Sequence, residues 1–486
     1  MNVGTEVSKR FVTNVLGTVS GFLSTLLFTR FVGIGGIGSY AVFLSFQMVT
    51  AAVVSFGLFQ TITKFVSAGN DEARQFTSGL ILVALGTTVS TVPFVVLEQR
   101  INAAIGADAA ILVPLGVGSW MAFRLVGSFL EGQGRVALAG LLENGRYILI
   151  LVAQLALYSM GLEVFALLWG VVLGQAMTAV LAYVAVARVV PARPSWELFT
   201  EFLRFSKYTY MKSLSAQIFK QADYIILGLA GTPVAAGIYK VSFTTAEVSM
   251  LFSAALSDVS FPEFSRLDVE EMAEATRELL EQVFAYTSLF SVPIIAGGAV
   301  VGNGLLLTVF DVEPQFTTLP LVGTVGLGNV LIVVLGVANL LNGYRGPLEN
   351  YYFGTSRPRL GAISGMLLIV VYGLVALPLL NAFDSVGLAL ATSLSFGCSV
   401  VLLVTSLDHP IPKQALYQVG AQSVAALGMA SLVAVLSGVI GGSSGVLRLS
   451  TLLIVGAVTY FVLFISLSAR ARRDAYWVSR DLLDEL

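Results

Sequence analysis

Seven ionisable residues stand in stretches of this chain that are otherwise apolar enough to cross a bilayer: Arg124, Arg146, Lys212, Lys220, Asp223, Lys240 and Glu247. A charge at membrane depth is costly, and such residues face a bundle interior or a water-filled cavity. Most of them are cations, so the chemistry they suit is anion binding. Arg and Lys replace the lost water shell of a phosphate or pyrophosphate with charge-assisted hydrogen bonds, and Arg can do so bidentately.

Their spacing groups them on helix faces. Lys240, Glu247 and Asp258 fall within about 20° of one direction on a helix, with Thr244 and Leu251 close to the same line. One stretch earlier, Lys212, Ala216 and Asp223 share a face, and Lys220 lies within about 80° of it. Lys220 and Asp223, three apart, are placed to pair. If Asp223 pairs with Lys240 instead, Lys220 is left to meet a phosphate. Asp223 and Glu247 read in two ways, as acids coupling transport to H+ or Na+ or as members of cavity salt bridges. Lys64 sits one turn after Gln60. Arg146 has Glu143 and Asn144 beside it, and with Arg124 it reads either as a guard of the inner mouth or as an ordinary interfacial arginine. Arg30 reads as an interfacial anchor or a further cavity cation. Tyr208, Tyr210 and Tyr239 offer aromatic faces for sugars.

The elements that must position these residues are membrane helices. Mean hydropathy is +0.86 and only 12% of residues are charged, half the share of a soluble domain. A window of about 19 residues predicts fourteen spans, at 11–32, 38–66, 75–97, 109–130, 140–160, 163–187, 207–230, 234–262, 280–310, 316–342, 359–383, 385–406, 415–440 and 446–469. With both termini inside, the cytoplasmic segments hold nineteen Lys and Arg and the outer ones only Arg30, Arg100 and Arg448. That bias predicts a multi-pass protein of the cytoplasmic membrane. The 188–206 linker carries Pro191 and Pro194 and an amphipathic stretch suited to the inner surface.

Other chemistries find little support. His409 and Cys398 are each the single residue of their kind, which leaves no His-built metal site and no internal disulfide. No cofactor is implied. The net charge of −2 suggests no nucleic-acid partner. The outer loops are short and glycine-rich, and Glu270, Glu271 and Glu274 read as a solvated helix face. A membrane glycosyltransferase or polymerase would need paired carboxylates or a larger loop domain, so the chain reads as a non-enzyme.

The halves echo each other. Gly38-Ser-Tyr-Ala-Val-Phe parallels Gly237-Ile-Tyr-Lys-Val-Ser, and Gly132-Gln-Gly-Arg parallels Gly354-Thr-Ser-Arg, each six spans apart. An even offset means parallel repeats about an axis along the membrane normal. The expected organisation is an N-lobe (1–187), the linker (188–206), a C-lobe (207–410) and two further spans with a cytoplasmic tail (411–486).

The motifs Leu27-Phe-Thr-Arg30-Phe-Val-Gly33, Gly57-Leu-Phe-Gln-Thr-Ile-Thr-Lys64-Phe, Ala236-Gly-Ile-Tyr239 and Phe353-Gly-Thr-Ser-Arg357-Pro-Arg359 resemble those of a known family. It is the polysaccharide flippases of the multidrug/oligosaccharidyl-lipid/polysaccharide exporter superfamily. The resemblance implies an all-α integral membrane fold, two pseudo-symmetric six-helix lobes plus two C-terminal helices, and alternating access. Its expected cargo is a polyprenyl- or dolichyl-(pyro)phosphate-linked saccharide for surface polysaccharide or glycoprotein glycan assembly. Membrane lipids, and glycosyltransferases or a polymerase of the same pathway, are the expected partners. The cationic cavity would draw on Lys220, Lys240, Lys212, Arg124, Arg146, Lys64 and Arg30. The alternatives are a multidrug or small-solute exporter of the same superfamily and a peptidoglycan-precursor lipid flippase. A drug exporter would favour an acid-dominated cavity, whereas bases outnumber acids within these spans.

Overall fold

The computed structural model describes residues 3–69, 71–184, 192–194, 200, 214, 216–250, 253, 257, 273–320, 323–354, 357–407, 410–439, 445–468 and 471–472, without the side chains of 3–20, 273, 275, 276 and 279. Fourteen helices carry nearly all of these residues. In chain order they are α1 (Val3–Ser55), α2 (Leu58–Ser67), α3 (Glu72–Val96), α4 (Glu98–Ile105), α5 (Leu112–Gly132), α6 (Val136–Ser159), α7 (Val164–Ala182), α8 (216–230) and α9 (Pro233–Glu247). After them come α10 (Ala273–Phe310), α11 (Leu327–Gly354), α12 (Pro358–Thr405), α13 (Lys413–Val439) and α14 (Gly445–Leu467). A short antiparallel hairpin, β1 (Phe316–Leu319) and β2 (Gly323–Gly326), lies between α10 and α11.

Ten of the described helices are long and apolar enough to span a membrane. Two of these are interrupted, α1 at Gly33 (φ 73°, ψ 173°) and α12 at Phe383 and Asp384. Counting each interrupted helix twice gives twelve, and the shorter helices α8 and α9 lie where two further spans were expected. Large apolar side chains cover the outer faces, as far as 75% exposure at Val439. In water a surface of this kind would drive association, whereas lipid solvates it. The described residues form an all-α membrane protein.

Two span boundaries differ from those expected. The second span is not one helix to residue 66. It ends at Ser55, and Phe56 (φ 43°) and Gly57 (φ 73°) break the backbone before α2 begins. The break is apolar, so hydropathy runs through it unmarked. The tenth span does not begin at 316. Residues there form the hairpin, which suits the β-branched Thr317, Thr318, Thr324 and Val325. The helix α11 instead continues to Gly354, so Arg345 stands on a helix and not in a loop.

Contacts gather the chain into two compact units, Phe28–Lys240 and Met1–Leu27 with Val241–Leu486. In the first, α6 and α7 meet through the small-residue pair Gly170 and Gly174. A Cβ on Gly170 would lie 2.3 Å from Gln154 Cγ, and one on Gly174 would lie 2.6 Å from Ile150 Cα. Close backbone approach of this kind drives helix pairing where lipid supplies no hydrophobic contrast. Gln47 Nε2 donates to Gly116 O (3.0 Å) and Gln175 Oε1 (2.9 Å), and Ser119 Oγ donates to the same Oε1 (3.0 Å). These bonds tie α1, α5 and α7 together.

In the second unit α12 is a helical hairpin. Ser364 and Ser399 hydroxyls meet at 2.6 Å across its arms, and a Cβ on Gly387 would lie 1.9 Å from Leu379 O. Gln422 on α13 donates to Ala285 O (2.8 Å) and accepts from Ser288 (2.5 Å), while Tyr460 on α14 donates to Leu289 O (2.9 Å). These bonds fasten α13 and α14 to α10.

Candidate functional site

A cavity of about 540 Å³ opens within the Phe28–Lys240 unit. That volume falls within the ~300–1,000 Å³ typical of ligand sites. Four helices wall it. From α1 come Met48, Ala52 and Ser55, and from the break after it Gly57. From α2 come Phe59, Gln60, Thr63 and Lys64. From α5 come Trp120, Arg124, Ser128 and Glu131, and from α8 Gln217.

The local sequence explains this lining. On α2 the residues Leu58, Thr61, Ile62, Phe65 and Val66 are buried, which turns Gln60 and Lys64 outward into the cavity. On α5 the spacing 120, 124, 128, 131 keeps one stripe on one face, drifting by no more than about 40° from Arg124. The two helices are clamped. Thr63 Oγ1 donates to Ser128 O (3.1 Å), and a Cβ on Gly132 would meet Val66 Cβ at 2.6 Å.

The cations are held by aromatic and acidic neighbours. The Arg124 guanidinium lies 5.9 Å from the Phe59 ring, and its Nη1 is 3.8 Å from Glu131 Oε1. Trp120 meets Phe59 edge-on with ring centroids 5.5 Å apart. Lys64 Nζ lies 5.6 Å from the Phe65 ring and is exposed. Ser128 is fully buried, and its hydroxyl has no hydrogen-bond partner. Among the described lining residues, two bases, one acid, two rings and a set of amides and hydroxyls make a base-rich polar pocket with flat apolar faces. It can bind an anion through charge and a sugar through stacking and hydrogen bonds.

Of the expected cations among the described residues, the structure brings two, Lys64 and Arg124, to this cavity. Arg146 is 6% exposed and held by Glu143 at 2.5 Å, with the Phe123 ring 5.3 Å and the Tyr147 ring 4.3 Å from its guanidinium. That makes it a packed ion pair in the helix interior. Asp223 is buried and accepts the Tyr239 hydroxyl at 2.5 Å. Tyr239 is itself 1% exposed and packs edge-on against Tyr224, so it presents no face to a sugar. Lys220 is exposed on α8, Arg30 is exposed on α1, and Lys240 and Glu247 are half-buried on α9. None of these lines the cavity. Lys212, Asp258, Tyr208, Tyr210 and the amphipathic stretch of the linker lie outside the described residues.

Sequence reasoning missed Trp120, Ser128 and Glu131, although their i, i+8, i+11 spacing through Arg124 was there to find. It also missed a polar cluster in the second unit. On α11, Arg345 Nη2 donates to Glu349 Oε1 (2.7 Å), which also accepts from Ser364 Oγ (3.0 Å). The signal was the four-residue spacing of Arg345 and Glu349.

Comparison with known proteins agrees with this picture. Residues 145–312 match a family described as polysaccharide biosynthesis protein. The probable low-salt glycan biosynthesis flippase Agl15 of Haloferax volcanii is 24% identical over 433 residues, 89% of each chain. The probable flippase AglR of the same organism is 25% identical over 475 residues, 95% of each. Among solved structures, the lipid II flippase MurJ in an inward closed conformation superposes with a TM-score of 0.75 at 12% identity, covering 94% of this chain and 98% of that one. An inward-facing MATE multidrug transporter gives 0.59 at 14% identity, covering 79% and 93%. At such identity the structures speak for the fold alone. The chain is thus similar over nearly its whole length to two proteins named as probable flippases, in line with the resemblance its motifs carry, and it shares its fold with MurJ and a MATE transporter.

Proposed function

We propose that this protein moves a polyprenyl- or dolichyl-(pyro)phosphate-linked saccharide across the cytoplasmic membrane by alternating access, for surface polysaccharide or glycoprotein glycan assembly. The observation that carries the reading is the cavity itself. Lys64 and Arg124 stand beside Trp120 and Phe59 in a pocket large enough for a phosphorylated sugar headgroup. Two relatives of matching length named as flippases support it. The prenyl tail stays in the bilayer while the headgroup crosses through the protein.

In this reading both termini are cytoplasmic, as the nineteen-to-three excess of inner Lys and Arg suggests. The cavity then serves loading from the inner leaflet, because Lys64 lies at the inner end of its span. The lobes are 1–187 and 207–410, joined by the 188–206 linker, with 411–486 appended. Lys220, Lys240, Lys212, Arg146 and Arg30 remain candidates for later positions along the path. Asp223 and Glu247 remain candidates for ion coupling. The protein acts without chemistry of its own on the saccharide, and the enzymes that build or polymerise the glycan are its functional partners.

Mass spectrometry of lipid-linked saccharides in a strain lacking the gene, with a sidedness assay, tests this. The complete precursor should accumulate on the inner leaflet while surface glycan is lost, and Lys64→Gln with Arg124→Gln should reproduce that loss with folded protein present. An unchanged lipid-linked pool would favour a drug or small-solute exporter. A truncated precursor would point to an enzyme.

A further inference from the structure

The cavity carries its own anion. Glu131 lines it together with Lys64 and Arg124 and shares the α5 stripe with Arg124. The two are matched in exposure, at 31% and 33%, and their closest atoms stand 3.8 Å apart, beyond hydrogen-bonding distance. A structural ion pair closes to contact, as Arg146 and Glu143 do at 2.5 Å only one helix away. The Arg124–Glu131 pair is open, wet and weak. Between its two residues on the same face sits Ser128, fully buried with an unpartnered hydroxyl.

We propose that Glu131 is an internal stand-in for the anionic headgroup. It neutralises Arg124 while the cavity is empty and is displaced when a phosphate arrives. The phosphate then takes the Arg124 fork and the Ser128 hydroxyl, and the attached sugar stacks on Trp120. The physical logic is one of exchange. An unneutralised guanidinium in a membrane cavity would hold chloride or lipid headgroups, and a tight ion pair would exclude the substrate. A loose carboxylate avoids both, because an ion pair this exposed is worth at most a factor of about five in an equilibrium. This inference rests on the cavity being the headgroup site of the proposed flippase.

Tryptophan fluorescence of the purified protein reads it directly. Trp169, Trp196 and Trp477 are replaced by Phe so that Trp120 alone reports, and the probe is a farnesyl phosphate-linked glucose, with octyl glucoside as the uncharged control. Arg124→Gln should weaken binding of the phosphate probe at least tenfold. Glu131→Gln should strengthen it about two- to fivefold, as the competing ion pair is removed, and should leave the uncharged probe unchanged. In the Arg124→Gln background, Glu131→Gln should lose most of its effect. Equal strengthening with and without Arg124 would mean plain repulsion of the anion and would overturn the stand-in. An unchanged affinity in Glu131→Gln would overturn it too, while Arg124 dependence alone would leave the cavity standing as the headgroup site. No saturable binding by the reporter protein would sink the cavity reading and the stand-in with it.

Discussion

The two repeat-related glycines, Gly38 and Gly237, touch. A Cβ built on Gly38 would lie 1.7 Å from Pro233 O and 2.8 Å from Gly237 N, and one on Gly237 would lie 2.0 Å from Ile34 O. These obstacles are backbone atoms, which cannot rotate aside as a side chain would. On α8, Gly228 approaches α1 as closely, since its Cβ would meet Val42 Cγ1 at 2.7 Å. Real Cβ contacts essentially never fall below 3.0 Å, so Gly38→Ala needs a separation of about 1.3 Å and Gly237→Ala about 1.0 Å. Overpacking of this order costs about 1–3 kcal/mol. Alanine returns up to about 1 kcal/mol of helix propensity. Each variant should therefore lose about 1–2 kcal/mol in equilibrium unfolding from mixed detergent micelles. The double variant is the sharper test. One parting of the helices relieves both clashes, so the combined loss should fall short of the sum by about 0.5 kcal/mol or more. Strict additivity, or an alanine variant as stable as the parent, would refute the crossing.

The Glu143–Arg146 pair should respond asymmetrically to truncation. Arg146→Met leaves Glu143, whose side chain is 37% exposed and can turn to water, so the loss should stay below about 1 kcal/mol. Glu143→Ala strands a guanidinium whose side chain is 8% exposed and should cost about 2–3 kcal/mol in the same unfolding assay. Glu349→Ala should cost about 2 kcal/mol, because it removes the partner of both Arg345 and Ser364, while Glu349→Gln keeps an acceptor for both and should cost less.

The parts of the fold that hydropathy could show are those in which lipid exposure and helix length coincide. The spans near α3, α5, α6, α7, α13 and α14 fall within a few residues of their predicted limits, because each is a single uninterrupted apolar run with polar ends. The turn at Phe383 and Asp384 was legible because Asp384 is an isolated charge in an apolar stretch. Two features were hidden for opposite reasons. The break at Phe56 and Gly57 leaves no polar trace, since it is made by backbone angles among apolar side chains. The far half of α11 looks like a loop because Asn342, Arg345 and Glu349 lower its hydropathy, yet they satisfy one another internally. The candidate site was partly legible. The types and depth of Lys64 and Arg124 marked them. Which other ionisable groups would join them depends on rotation of each helix about its own axis, and Arg146 and Asp223 turned to bury themselves in pairs.

The backbone breaks and the glycine crossing together divide one helix into functional parts. Gly33 and the Phe56–Gly57 break bracket the stretch 34–55 of α1. Near one end of that stretch Gly38 is locked against Pro233 and Gly237 by main-chain contact. At the other end Met48, Ala52 and Ser55 line the open cavity. Gly38 and Ser55 are seventeen residues apart, or about 25 Å along a helix, close to the hydrocarbon thickness of a bilayer. A single rigid rod therefore joins a sealed end to an open end. Because both of its limits are backbone breaks, the rod can tilt about either one without unwinding. Opening the crossing requires its helices to part, and a rod that swings at one end moves the cavity wall at the other. Arg124 and Lys64 stand on α5 and α2, outside the rod, and the Gln47 bonds to Gly116 and Gln175 fasten its middle to α5 and α7, so any tilt of the rod relative to Arg124 has to break them.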